Sequence, residues 1–122
     1  MTIIEVISEV DALHPNSFDQ SNKIAWLSNL DGRIKDEIID IHEGGDDAPF
    51  KGYNDDDIDI ELIVPRPYDE VYRYWLEAQL DYANGEYTKY NNSMAMFNNA
   101  YSAFERHYHK THMPKGKSLK FF

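Results

Sequence analysis

Apolar residues recur at helical spacing along most of this chain. Ile3, Val6, Ile7, Val10 and Leu13 share one helical face. Thr2 stands before them with Glu5 three residues on, the pattern of a capping box, and Pro15 closes the segment. A second helix is predicted from about Asp19 to about His42, with Ser17 or Asp19 as its cap. Ile24, Leu27, Ile34, Ile38 and Ile41 carry its apolar stripe, and Trp26 and Leu30 widen it. Gly32 interrupts this helix and predicts a bend.

The period then fails. "EGGDDAPFKGYNDDD", Glu43 to Asp57, is dense in glycine, acids and amides and reads as loop. "IDIELIV", Ile58 to Val64, alternates and then runs apolar, the pattern of a strand. A strand alone needs a partner, so it predicts pairing with a folded-back loop or another subunit. Pro67 suits the first turn of a helix, and Asp69 and Glu70 suit its positive end. A third helix follows from about Tyr68 to Ala83, with a wide apolar arc that includes Val71, Tyr72, Trp75, Leu76 and Leu80. Asn84-Gly85 stops it.

A fourth helix is predicted from Glu86 to about Lys110. Tyr87, Tyr90, Met94, Phe97, Tyr101, Phe104 and Tyr108 alternate spacings of three and four, a heptad seam. Across the short Asn84-Gly85 turn that seam packs on the third helix as an αα-hairpin. Beside it run Asn91-Asn92 and Asn98-Asn99, in the register later taken by Glu105-Arg106. Asparagine is a poor residue for a helix interior, and a merely solvated face would favour Glu and Lys. An amide can bond a neighbouring subunit without desolvating an ion, so Asn91, Asn92, Asn98 and Asn99 are candidates for a subunit interface, with an exposed polar face as the other reading. Ile58, Ile60 and Leu62 join that interface if the strand pairs between subunits.

The expected fold class is therefore all-α: a helical bundle with a long αα-hairpin and one extended segment in an acidic loop. Residues 1–113 form a single helical domain, and residues 114–122 form a flexible basic tail. An aromatic content of 14% in 122 residues agrees with one packed core. No apolar run approaches the length of a membrane span, and the acidic start of the chain does not read as a secretory signal. Cysteine is absent, which removes disulfides and thiolate metal sites.

Charge divides the chain. The formal net charge is −10, yet Arg106, Lys110, Lys115, Lys117 and Lys120 stand in the last stretch with no acid after Glu105. An acidic body with a basic end suggests different partners for the two, or simply a soluble surface with an irregular terminus. Asp55, Asp56, Asp57, Asp59 and Glu61 lack the glycine and the terminal glutamate of a calcium loop, so they read as solvated. His107, His109 and His112 read as cations near a helix C-terminus. No Ser/His/Asp arrangement, phosphate loop or zinc-hydrolase motif is present, so neither an enzyme nor a cofactor or metal site is expected.

"WLSNLDGRI", "VPRPYDEVY", "NGEY" and "YNNSMAMFN", in that order, resemble the small head–tail connector (adaptor) proteins of tailed phages and prophages of Gram-positive bacteria. The resemblance covers roughly Lys23 to Gly116 apart from the acidic loop, and departs from the pattern at Ala83, where a second aromatic is expected. It implies a helical protomer in a virion, at the phage neck. There, copies (commonly twelve) close into a ring under the portal, after assembly in the host cytoplasm. The implied partners are the portal protein and the next neck component, a stopper or the tail, with DNA passing through without specific binding and no membrane involved. On this reading Arg106, Lys110, Lys115, Lys117, Lys120, Phe121 and Phe122 are candidates for portal binding, with the two phenylalanines as anchors. A channel-facing loop of Asp55, Asp56, Asp57 and Asp59 would repel DNA and let it slide. A different reading is a small acidic phage protein that mimics DNA and inhibits a host factor. It predicts acids spread along one exposed face, and gives the basic end no role.

Overall fold

The computed structural model describes residues 1–44 and 48–115. The chain is mostly helical: α1 (Ile3–Leu13), α2 (Gln20–Ile34), α3 (Glu70–Ala83) and α4 (Tyr87–Thr111). Among the described residues there is no strand, only two isolated bridges. The helices pack as a bundle around one core.

The start of α1 follows from its sequence. The Thr2 hydroxyl accepts from the Glu5 N–H, and the Glu5 carboxylate accepts from the Thr2 N–H at 2.8 Å, so the capping box is complete. That second hydrogen bond also holds the Glu5 carboxyl below its usual range. Ile3, Val6, Ile7 and Val10 are buried, each worth about 1.5–3 kcal/mol relative to exposure. Leu13, predicted on that face, is 59% exposed, because it is the last residue of the helix and projects past the core.

In α2 the stripe of Ile24, Leu27, Leu30 and Ile34 is fully buried. Gly32 does not bend it. A Cβ there would lie 3.4 Å from the Phe50 ring, so the missing side chain lets the acidic loop pack against the helix. The irregularity comes later, as a π-type turn over Lys35–Ile39 in which the Asp40 N–H donates to the Lys35 carbonyl. It keeps Ile38 buried, whereas Ile41, predicted on the stripe, is 53% exposed beyond the end of the helical ladder.

The segment from Ile58 to Val64 is not a strand of a sheet. It lies along the start of α1 instead. The N–H groups of Ile3 and Ile4 donate to the carbonyls of Ile60 and Ile58, and the Leu62 N–H donates to the Met1 carbonyl. The only ladder pairing here is the antiparallel Thr2–Glu61 bridge. The partner that the alternating pattern required is thus the first turn of the chain's own α1, whose N–H groups have no intrahelical acceptor.

α3 starts two residues later than predicted, after a turn containing a cis Arg66–Pro67 peptide. It packs on α4 through Trp75 and Phe97, with ring centroids 5.0 Å apart, and through Tyr82 and Tyr90 at 5.2 Å. Its end is a Schellman motif. Gly85 (φ 74°) donates to the Tyr82 carbonyl, and the Glu86 N–H donates to the Asp81 carbonyl. Gly85→Ala should therefore cost about 1 kcal/mol, measured by urea unfolding, because an L side chain must then adopt the left-handed region; an unchanged midpoint would mean that the turn relaxes freely.

The heptad seam of α4 is graded. Phe97 and Phe104 are buried, Tyr90, Met94, Tyr101 and Tyr108 are half-buried, and Tyr87 is 59% exposed at the hairpin tip. Tyr90 and Tyr101 are thus less covered than a full core seam requires: Tyr90 packs on Tyr82 near the hairpin tip, and Tyr101 turns its hydroxyl outward to Glu37.

Candidate interaction surfaces

The outward face of α4 is the most extended feature of the surface. Asn91, Asn92, Asn98 and Asn99 are all exposed, and Met96, 47% exposed, lies between the pairs. The same stripe continues through Glu105 and Arg106 to Lys110, all exposed. From Asn92 to Lys110 it spans about 27 Å at the helical rise per residue. Among the described residues Arg106 and Lys110 make no ion pair.

The basic end is anchored more firmly than a tail beginning at residue 114 would be. Pro114 forms an antiparallel bridge with His42. Glu43 donates to the Met113 carbonyl at 2.7 Å, and Lys115 donates to the Ile41 carbonyl at 2.9 Å. The domain therefore extends through Lys115. Lys117, Lys120, Phe121 and Phe122 lie outside the described residues, as does the expectation that this stretch is flexible.

His42 makes this junction. It is 1% exposed. Its Nδ1 donates to the Ile38 carbonyl, which leaves Nε2 facing His109 Nδ1 at 3.1 Å. His107 stacks on Tyr68, and His112 stacks on Tyr108 with centroids 3.7 Å apart. The three histidines of α4 and its cap thus serve three different contacts. Among the described residues no group of three or more His, Asp or Glu side chains is placed to hold a metal ion.

The acidic loop presents Asp55, Asp56 and Asp59 to solvent, while Asp57 turns back and accepts from the Asn54 N–H at 2.7 Å. Of the apolar interface candidates, Ile60 is 41% exposed and Ile58 is half-buried. Leu62 is buried in this protomer's own core, and so is unavailable to a neighbour.

What positions the loop is a buried carboxylate that the sequence reading did not single out. Asp31 is fully buried on α2. Its Oδ1 accepts from the Tyr72 hydroxyl of α3 at 2.5 Å. Its Oδ2 accepts from the Tyr53 hydroxyl of the loop at 2.5 Å and from the Ile63 N–H at 3.1 Å. Tyr72 in turn accepts from the Val64 N–H at 2.8 Å. Burial pushes the Asp31 carboxyl above the usual range, against the three hydrogen bonds that favour its charged form. Both phenols are pushed up as well, by burial and by the carboxylate beside them. One signal was available: Asp31 lies four residues after Leu27 and three before Ile34, on the apolar stripe. His42 sits on the same stripe, four after Ile38.

No protein-family model matches the chain, and no curated protein or solved structure matches it either. No helix among the described residues is long and apolar enough to cross a membrane.

Proposed function

We propose that this protein is a structural component of the phage neck, a head–tail connector whose copies form a ring below the portal and around the DNA channel. One observation carries the reading. In a chain of net charge −10, the longest exposed helical face is built of amides and Met96 and ends in Glu105, Arg106 and Lys110, a net positive end. Such a face can be covered by another protein at little desolvation cost, and its end is complementary to an acidic partner. In the ring the asparagine stripe meets the neighbouring copy, a heterologous contact that closes when the rotation per subunit closes. The basic end meets the portal, and the solvent-facing aspartates turn to the channel, where they repel DNA and leave it free to slide. The ring leads on to the stopper or tail, and its place is the virion.

The mass of the protein, alone and mixed with its portal, tests this directly. A portal-bound ring of many copies is expected. Asn92→Glu with Asn99→Glu should leave the melting temperature within a few degrees and abolish the ring, because each contact must then desolvate two carboxylates that have no partner in it. A protein that stays a single protomer with and without the portal overturns the reading.

A further inference from the structure

A polar cleft of about 340 Å³ opens where α1 and α3 end and α4 begins. Leu13 and Leu80 line one part of it, and Asp81, Asn84, Glu86 and Lys89 line another. Asp81 is 3% exposed as a residue, and what it exposes lines this cleft. The Ser93 hydroxyl donates to its Oδ2 at 3.0 Å, and among the described residues its side chain makes no other hydrogen bond and no ion pair.

Every cation nearby is already committed elsewhere. Lys89 pairs with Glu86 at 3.1 Å, His14 lies 3.2 Å from Glu77, and Lys23 pairs with Asp11 at 2.8 Å. Neither α1 nor α3 has a basic residue in its last turn, so two negative helix ends meet the cleft against the one positive end that α4 brings to it. One carboxylate oxygen is held by a single neutral donor and the other has no donor among the described residues and lies open at the cleft, so a cation entering the cleft would meet it directly. Exposed Leu13 at the mouth and buried Leu80 in the wall suit the methylenes of a lysine-like stem.

We propose that this cleft is a binding site for a primary ammonium on a short alkyl chain, with Asp81 as the anchoring carboxylate. The ammonium can come from a free alkylamine or from a lysine of a second copy. The chain's own basic end does not reach. α4 starts beside the cleft and runs 25 residues, about 37 Å, while Lys115 is held to Ile41 at the far end. Lys120 is five residues farther on, a span of at most roughly 18 Å. The site does not depend on the connector reading, since a single protomer contains all of it.

The test is an amide-resolved NMR titration of the full chain with n-butylamine, with n-butanol as the uncharged control. The amine is expected to shift His14, Asn84, Glu86 and Lys89, and the alcohol is expected to leave them in place. Asp81→Asn should weaken amine binding by about tenfold or more. Should that variant not fold, Asn84→Lys puts a competing ammonium at the rim, and it should weaken binding by a similar factor. A peptide with the sequence of Lys115 to Lys120 separates the sources. Tighter binding than butylamine at the same residues assigns the site to a second copy, and binding no tighter assigns it to free amines. Absence of amine-specific shifts, or equal affinity in the folded variants, overturns the proposal.

Discussion

Phe97→Ala is expected to destabilise the protein by about 3–5 kcal/mol. Phe97 is 2% exposed at the centre of the hairpin. Its ring lies 5.0 Å from Trp75 and 5.6 Å from Tyr101. Trp75 cannot slide in to fill the space, because its indole N–H is tied to the Trp26 carbonyl at 2.8 Å. The void therefore persists, and its cost adds to the lost transfer energy. Urea unfolding monitored by circular dichroism measures the change. A loss under about 1 kcal/mol would place Phe97 at a surface and separate α4 from the core.

Asp31→Ala is expected to cost about 3 kcal/mol or more, although it removes a buried charge. It leaves the Tyr53 and Tyr72 hydroxyls and the Ile63 N–H without their acceptor, inside the core. The pH dependence carries a separate signature. Burial raises the Asp31 carboxyl in the folded protein above its unfolded value of about 3.9, so the folded state takes up the proton first. This group therefore favours folding increasingly as the pH falls through the folded value, and the gain is complete below the unfolded one. As the pH rises through the folded value, that contribution is lost. Glu37 runs the other way. Tyr101 donates to it at 2.6 Å and holds its carboxyl below the usual range, so its small, solvent-screened contribution is present at neutral pH and fades under acid. Comparison of the wild type with Asp31→Asn, in unfolding experiments from pH 7 to pH 4, isolates the first effect. The wild type should gain stability relative to the variant across that range. A relative loss would mean that the three hydrogen bonds outweigh burial.

The sequence by itself determined the helices, because each is set by signals within a few residues. The capping box of Thr2 and Glu5, the Asn84-Gly85 stop and the three-four spacing of the α4 seam act locally, and all three recur in the structure. The polar stripe of α4 and the exposed aspartates of the loop were readable for the same reason, since residues at one register of a helix or in one loop share a fate. What the sequence did not determine was how remote pieces meet. The alternation of Ile58 to Val64 demanded hydrogen-bond partners without saying where they were, and the first turn of α1 supplied them. That answer placed Leu62 in the core instead of at a neighbour. Gly32 signalled a break in local terms, yet it serves a contact with Phe50 from another segment. Asp31, His42 and Asp81 are polar residues whose roles depend on groups 22 to 67 residues away or on the paired ends of different helices. Only the tertiary structure brings such groups together, because burial and hydrogen-bond partners are properties of the packed chain and not of its local pattern.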